Sequence, residues 1–202
     1  LRATVPVLVD PGHSEQHNPK LLGNDSTPLS EALNRWPAEA GAPDLAPDTL
    51  LERIESWQQL LQPAVNDGVY RCGFARNQAA YNRASAAMIE ALNEVERSLQ
   101  SEGPWLCGET LTLADIRLFP TLIRWETVYS PLFGCSASPL WMLPGLWRWR
   151  QRFLALPGVA ATCDASAWRN DYFGALFPLN PGGIVPDGPK LSTLVNSTIP
   201  LP

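Results

Sequence analysis

The stretch Leu111-Thr112-Leu113-Ala114-Asp115-Ile116 decides the fold, because it predicts where a buried helix begins. Thr112 stands at the N-cap position and Asp115 follows three residues later, so each side chain can satisfy the other's free backbone amide. Apolar residues further on cover more than one face, which predicts a helix at the centre of a bundle, bent at Pro120. These apolar residues are Ile116, Leu118, Phe119, Leu122, Ile123, Trp125 and Tyr129.

Amphipathic helices are predicted on both sides of this central helix. Apolar residues recur at steps of three or four over residues 50–65, and Thr49 and Glu52 have the spacing of a capping box. The same periodicity over residues 81–99 predicts a second helix, which Gly103-Pro104 ends. Further helices are expected at about residues 145–156 and 164–177, followed by a Pro/Gly-rich tail.

The N-terminal part has a different pattern. Residues 3–10 and 20–23 are apolar or β-branched and predict two short paired strands. Ser26 or Thr27 can cap a helix that runs to about residue 34, with Pro28 in its first turn. Residues 36–48 contain three prolines and one glycine, which is typical of an interdomain linker.

Composition excludes several classes of function. The formal net charge is -5 and the arginines are dispersed, so no basic stripe is available for a nucleic-acid backbone. No apolar run approaches the roughly 18 residues needed to cross a bilayer, and the N-terminus has no signal-peptide pattern. We therefore expect a soluble, cytoplasmic protein with neither nucleic acid nor membrane as a partner.

The four cysteines lack any CxxC spacing, and the two histidines lie in a polar loop, so no metal site is expected. Cysteines placed in this way are more often small buried apolar residues than disulfides or nucleophiles. They are Cys72, Cys107, Cys135 and Cys163. The chain starts at Leu1, directly before a strand-like run, which is typical of a fragment or a processed form.

Three segments in the same order along the chain carry a family resemblance. They are NDGVYRCGFA at 66–75, ADIRLF with TLIR at 114–119 and 121–124, and NP with GIVP at 180–181 and 183–186. Together with the Val-Pro strand, the Asp-Ser helix start and the Thr-x-x-Asp box, they resemble the glutathionyl-hydroquinone reductases. This group is the Xi class of the glutathione transferase superfamily.

The resemblance implies a mainly α protein, in which an all-helical C-terminal bundle follows the second half of a thioredoxin-like α/β domain. The expected division is 1–36 for the partial glutathione-binding domain, 37–48 for the linker, 49–178 for the bundle and 179–202 for the tail. The family's nucleophile lies in a Cys-Pro-Trp motif that this sequence lacks. The catalytic cysteine is therefore expected N-terminal to Leu1, and none of the four cysteines inherits its role.

The resemblance places glutathione at two points of the N-terminal part. A cis bond between Val5 and Pro6 would leave the Val5 backbone free to pair with the cysteinyl residue of glutathione. The alternative is an ordinary trans proline on an edge strand. Asp25 would bind the α-ammonium group, and Ser26 with the helix start would bind the α-carboxylate. The alternative is a capped helix start with no ligand.

The resemblance also assigns an aromatic-substrate pocket to Tyr70, Tyr129 and Tyr172, whose hydroxyls would bind the quinol oxygens. The alternative is that they are core tyrosines with satisfied hydroxyls. The implied activity is the glutathione-dependent reduction of glutathionyl-hydroquinones to hydroquinones, with release of glutathione disulfide. A homodimer is expected from the family's pairing mode and the apolar Ile184-Val185-Pro186 in the tail. The alternative function is a non-catalytic, glutathione transferase-like assembly or binding module.

Overall fold

The computed structural model describes residues 6–11, 20–36, 41–135 and 139–196. The chain divides into two compact units, Leu1–Leu51 and Glu52–Pro202. Within the described residues, no helix combines the length and the apolar character that a membrane span requires.

The first unit contains a two-stranded sheet and one helix. Strand β1, Leu8–Asp10, pairs antiparallel with β2, Lys20–Gly23, and a bulge interrupts the register between Leu8 and Val9. Helix α1, Ser26–Asn34, follows directly. The prediction that serine or threonine caps this helix is wrong, because Asp25 is the N-cap and accepts a hydrogen bond from the Thr27 N–H at 3.0 Å. Aspartate is among the preferred N-cap residues, because its carboxylate oxygen can accept a hydrogen bond from an amide of the first turn.

The second unit is helical, as predicted. Two short π-helical turns, Gln62–Asn66 and Trp125–Tyr129, each separate two consecutive helices. The helices are α2 Leu51–Leu61, α3 Gly68–Gly73, α4 Gln78–Ser101, α5 Leu113–Ile123, α6 Ser130–Phe133, α7 Pro144–Leu154, α8 Ala165–Ala175 and α9 Leu191–Asn196. Helix α2 begins at the boundary between the two units.

Two details of the bundle differ from the sequence prediction. The Thr49–Glu52 capping box does not form, because Asp48–Leu50 is a 3₁₀ turn that starts after Pro47 and extends into α2. The sequence predicts one helix over residues 50–65. The α-helix ends at Leu61, and a π-helical turn that contains Pro63 follows it. Helices α3 and α9 have six residues each, too short for the periodicity to reveal them.

The carboxylate of Asp115 joins three segments of the bundle. The predicted capping box is present, and Asp115 Oδ2 accepts the Thr112 N–H at 3.0 Å. Asp115 Oδ1 also accepts the backbone N–H of Leu106 at 3.0 Å and the indole N–H of Trp149, on α7, at 2.8 Å. Burial raises the pKa of this carboxyl above its ordinary value, while the hydrogen bonds oppose that rise. One fully buried group thus fixes the start of α5, the loop before it and α7.

A second carboxylate caps a helix from outside that helix. Glu96, on α4, accepts the backbone N–H groups of Gly145 and Leu146 at 2.8 and 2.7 Å, at the first turn of α7. A side chain at Gly145 would place its Cβ 3.0 Å from the Glu96 carboxylate, so a glycine permits this close approach. The arrangement satisfies two amides that have no partner within α7.

The core lies between α2, α4, α5 and α7. The rings of Phe119 and Phe153 stack with centroids 4.0 Å apart, and Trp149 contacts both rings. Its largest fully buried side chains are Trp125, Trp149, Arg150, Met88, Leu92, Leu106, Leu118, Leu122, Ile123, Leu140, Leu146 and Val65.

Replacing Asp115 with alanine should lower the free energy of unfolding by roughly 3–5 kcal/mol, because it leaves buried backbone and indole donors without an acceptor. Urea denaturation of the 202-residue chain measures this change. Asp171→Ala, at an exposed position on α8, is the matched control and should change it by less than about 0.5 kcal/mol. Equal effects of the two substitutions would contradict the role given to Asp115.

Candidate functional site

The second unit brings three tyrosine hydroxyls into one cluster, which we call the tyrosine cluster. The hydroxyl oxygens of Tyr70 and Tyr172 are 2.8 Å apart, and those of Tyr129 and Tyr172 are 3.1 Å apart. Tyr70 and Tyr129 close the triangle at 3.4 Å. The three residues that the sequence proposed for an aromatic pocket are therefore neighbours, although they are up to 102 positions apart in the chain.

Tyr70 is positioned by the turn that precedes it. Asn66, the last residue of the turn Gln62–Asn66, donates to the Arg117 carbonyl at 3.2 Å and accepts from the Thr121 hydroxyl at 2.7 Å. These bonds tie the turn to α5, and α3 with Tyr70 follows immediately. Single π-helical turns of this kind often occur at functional sites, because they redirect the side chains that follow.

Tyr129 is the last residue of the second π-helical turn, Trp125–Tyr129. Within this turn Glu126 accepts a hydrogen bond from the guanidinium of Arg150 at 2.5 Å, and Arg150 also donates to the Leu122 carbonyl at 3.1 Å. The Arg150 side chain is only 1% exposed, so this ion pair lies inside the bundle. The turn that carries Tyr129 is thus fixed to α5 and α7.

Phe133 forms the apolar floor of the cluster. Its ring lies 5.3 Å from that of Tyr70, 5.4 Å from Tyr129 and 6.1 Å from Tyr172, measured between centroids. A Cβ at Gly73 would lie 2.6 Å from the Phe133 ring, so α3 can approach this ring only because Gly73 has no side chain. Phe133 is not evident from the sequence, because a single aromatic residue in the four-residue helix α6 carries no periodicity.

Tyr172 lies on α8, whose start is capped by Asp164. The side chain of Asn180 donates to the carbonyls of Phe173 and Ile184 at 2.8 and 2.9 Å. Asn180 therefore links the end of α8 to the segment that follows it. This gives a structural reason for the Asn-Pro pair that contributed to the family resemblance.

The hydroxyls of Tyr70 and Tyr129 remain protonated over a wide pH range. Burial raises the pKa of Tyr70 from the ordinary value of 10.0 to about 12. Burial, together with the hydrogen bonds to its neighbours, also raises the pKa of Tyr129. Tyr70 is 40% exposed whereas Tyr129 is 4% exposed, so Tyr70 presents the cluster to the surface. At neutral pH the cluster can donate hydrogen bonds to an oxygen atom of a bound molecule.

The residues proposed for glutathione belong to the first unit. Pro6 is exposed, and Val5 lies outside the described residues, as does the bond between them. Asp25 and Ser26 are exposed at the start of α1, and one oxygen of Asp25 already accepts the Thr27 N–H. The second carboxylate oxygen of Asp25 and the polar groups of Ser26 are of the kind that the α-amino-acid end of glutathione needs.

The cysteines lie in apolar surroundings. Cys72, Cys107 and Cys135 are buried, and Cys163 is partly exposed. Burial raises the pKa of the thiols of Cys107 and Cys163. The hydrogen bond between Cys72 and Cys135 raises the pKa of Cys135 and lowers that of Cys72, but Cys72 is only 4% exposed. Within the described residues, no group of three or more His, Cys, Asp or Glu residues could hold a metal ion.

Comparison with known proteins agrees with this architecture. Residues 78–152 match the family model described as "Glutathione S-transferase, C-terminal domain". The chain is 34% identical over 192 residues to glutathionyl-hydroquinone reductase YqjG of Escherichia coli K12. It is also 34% identical over 190 residues to glutathionyl-hydroquinone reductase PcpF of Sphingobium chlorophenolicum.

The solved structures give the same result. The glutathione-bound structure of Escherichia coli YqjG superposes with a TM-score of 0.85 at 34% identity, over 94% of this chain and 60% of that chain. The chain contains a glutathione S-transferase C-terminal domain. A Xi-class glutathione transferase from Natrialba magadii has a TM-score of 0.86 at 28% identity, over 100% of this chain and 58% of that chain. The resemblance found in the sequence is thereby confirmed.

The matched region is only part of these glutathione transferases. It covers 93% of this chain but 56% of Escherichia coli YqjG and 59% of PcpF. The chain therefore spans a little more than half the length of the curated relatives it matches.

The raised pKa values of Tyr70 and Tyr129 predict how the stability of the chain depends on alkaline pH. The folded state binds the Tyr70 proton more tightly than the unfolded state does. The stabilisation of the fold by this proton is therefore complete below pH 10.0, and it is lost as the pH rises through about 12. We expect the free energy of unfolding to fall less steeply over this window in the Tyr70→Phe/Tyr129→Phe double variant than in the wild type. Urea titrations at stepped pH measure the free energy of unfolding of both proteins, and the absorbance of phenolate follows tyrosine ionisation in the folded protein. Identical slopes of the unfolding free energy against pH in the wild type and the double variant would contradict the prediction.

Proposed function

We propose that this chain is part of a glutathione-dependent reductase that converts glutathionyl-hydroquinones to hydroquinones. The observation that carries the proposal is the tyrosine cluster, which offers three hydroxyl groups beside an aromatic floor. A hydroquinone has hydroxyl groups on a flat apolar ring, so it matches both features. The names of the two curated relatives support the same substrate class.

The proposed reaction exchanges one sulfur bond for another. A cysteine thiolate attacks the thioether sulfur of the substrate, an S–S bond to glutathione forms and the bond from sulfur to the ring carbon breaks. The ring carbon takes a proton and leaves as part of the free hydroquinone. The thiolate of a second glutathione then attacks the enzyme–glutathione disulfide, which releases glutathione disulfide and regenerates the cysteine thiolate.

The tyrosines would act on the leaving hydroquinone. Negative charge that develops on the ring reaches its oxygen atoms, where a hydrogen bond from Tyr70 stabilises it. Tyr172, whose hydroxyl lies 2.8 Å from that of Tyr70, would orient the Tyr70 hydroxyl, and Tyr129 would support it from 3.4 Å. Arg124 adds positive charge, which acts to lower the pKa of Tyr70 against the larger effect of burial.

Glutathione would be held by the first unit as the sequence predicted. Asp25 would pair with the ammonium group, and Ser26 at the positive end of α1 would hold the α-carboxylate. The nucleophile would precede Leu1, and this remains a prediction. A homodimer and a cytoplasmic location are further parts of the proposal, supported by the family resemblance.

The test uses the complete gene product and a glutathionyl-hydroquinone, with release of hydroquinone and glutathione disulfide as the readout. Tyr129→Phe should lower kcat/KM by about 10- to 100-fold, because it removes a hydroxyl from the cluster and leaves the ring in place. Tyr81→Phe is the matched control, since the Tyr81 hydroxyl donates to the Gly134 carbonyl at 2.6 Å rather than to the cluster. It should change kcat/KM by less than about twofold.

Two results would count against the proposal. Turnover that is equal in the Tyr129→Phe and control variants would show that the tyrosine cluster does not act on the substrate. Absence of turnover in the wild-type gene product would favour the alternative of a non-catalytic module.

A further inference from the structure

A cavity lined by arginines opens between α3 and the start of α4. Its volume is about 510 Å³, which lies within the range of small-molecule sites. Arg71 on α3, Arg76 in the connection and Arg83 on α4 all line it. Its described lining residues include no aspartate or glutamate, and no tyrosine of the tyrosine cluster. We call this the arginine cavity.

The three guanidinium groups of the arginine cavity have no protein partner. Within the part of the chain that the structure describes, none of them forms a hydrogen bond or an ion pair, whereas Arg53, Arg97 and Arg150 each pair with a carboxylate. All three cavity arginines are exposed. Because they are long, accessible and line one cavity of small-molecule size, they can contact one ligand together. Their mutual repulsion is relieved when an anion binds between them.

Helix α4 supplies a wall of small side chains. Ala80, Ala84 and Ala87 are four and seven positions apart, which places them on one face of the helix, and all three line the cavity. Their short side chains leave room for a ligand beside the long side chain of Arg83. The first turn of this 24-residue helix also borders the cavity, so its positive dipole end adds to the charge of the arginines.

Phe74 adds an aromatic surface to the arginine cavity. Its side chain lines the cavity and is 46% exposed. The ring also contacts that of Phe133, with centroids 5.7 Å apart, so it is held in place from within the bundle. A fixed, accessible ring beside cationic groups suits a ligand that has both a flat ring and an anionic tail.

The number and placement of the positive charges favour a diphosphate group as that tail. Guanidinium groups bind carboxylates and phosphates through paired N–H donors. A carboxylate has two oxygens in one plane, whereas a phosphate has three outer oxygens and can accept from guanidinium groups on different elements. One phosphate ester carries a charge of about -1.5 to -2 at neutral pH, which is less than the three positive charges require. A second phosphate group supplies the remainder.

We propose that the arginine cavity binds a nucleoside diphosphate, with its phosphates at Arg71, Arg76 and Arg83 and its base against Phe74. The validity of this site does not depend on the proposed reductase activity, because no step of that reaction uses these four residues. Helix α3 carries both Tyr70 and Arg71, so a ligand bound in the cavity contacts the helix that presents the tyrosine cluster to the surface.

Calorimetric titration of the 202-residue chain with ADP, in the absence of divalent cations, tests the proposal. ADP should bind at one site. AMP, which lacks one phosphate, and inorganic pyrophosphate, which lacks the base, should each bind about tenfold more weakly. Citrate, which has three carboxylates and no ring, should also bind at least about tenfold more weakly than ADP. Added salt should weaken the binding of ADP, because exposed ion pairs are screened.

Substitution of an arginine tests its contact with the phosphates. Arg83→Ala should weaken ADP binding by about tenfold, because it removes a charged donor. Replacing Arg71, Arg76 and Arg83 together with alanine should abolish binding. Arg148→Ala is the matched control, since Arg148 is exposed on α7 and does not line the cavity. It should change the Kd by less than about twofold.

Substitution of Phe74 separates the contact with the base from the contact with the phosphates. Phe74→Leu keeps an apolar side chain but removes the stacking surface. It should weaken ADP binding by about fivefold and leave the affinity for pyrophosphate within about twofold. Thermal melts establish that each variant is folded.

Three results would overturn the proposal. The first is a wild-type chain that does not bind ADP. The second is equal affinity for ADP and AMP, or citrate binding as tight as that of ADP, because a diphosphate group would then not be what the cavity recognises. The third is an equal effect of Arg83→Ala and Arg148→Ala on the Kd for ADP, which would place the binding site elsewhere.

Discussion

The bundle depends on one buried carboxylate that serves three segments. Asp115 accepts hydrogen bonds from the start of its own helix, from Leu106 and from the indole of Trp149. Since a buried charge is tolerated only when its hydrogen-bonding capacity is filled, these segments must come together in one arrangement. That arrangement fixes α5 against α7, and α5 leads directly into the turn that carries Tyr129.

The tyrosine cluster follows from this frame through two interruptions of regular helix. Asn66 fixes the first π-helical turn to α5, and the ion pair between Glu126 and Arg150 fixes the second. Tyr70 follows the first turn, and Tyr129 is the last residue of the second. Deviations from ideal helix geometry therefore direct the side chains of the cluster.

The sequence predicted the features that repeat and missed those that depend on single contacts. Periodic apolar residues predicted α2 and α4, and the Thr112–Asp115 spacing predicted the start of α5 with its capping box. The two π-helical turns, α3 and the cap that Glu96 provides for α7 carry no periodic signal, because each depends on residues distant in the chain. The grouping of Tyr70, Tyr129 and Tyr172 came from the family resemblance. Helical spacing alone would have left them as core tyrosines.

Carbon NMR of the 202-residue chain with labelled tyrosine ring carbons tests the central claim most directly, since the chain has four tyrosines and three form the cluster. Single Tyr→Phe substitutions assign the resonances. On addition of a hydroquinone, the signals of Tyr70, Tyr129 and Tyr172 should shift together in a saturable manner, while that of Tyr81 should move much less. A saturating hydroquinone that leaves the three cluster signals unchanged would contradict the claim that these hydroxyls bind the oxygens of an aromatic substrate.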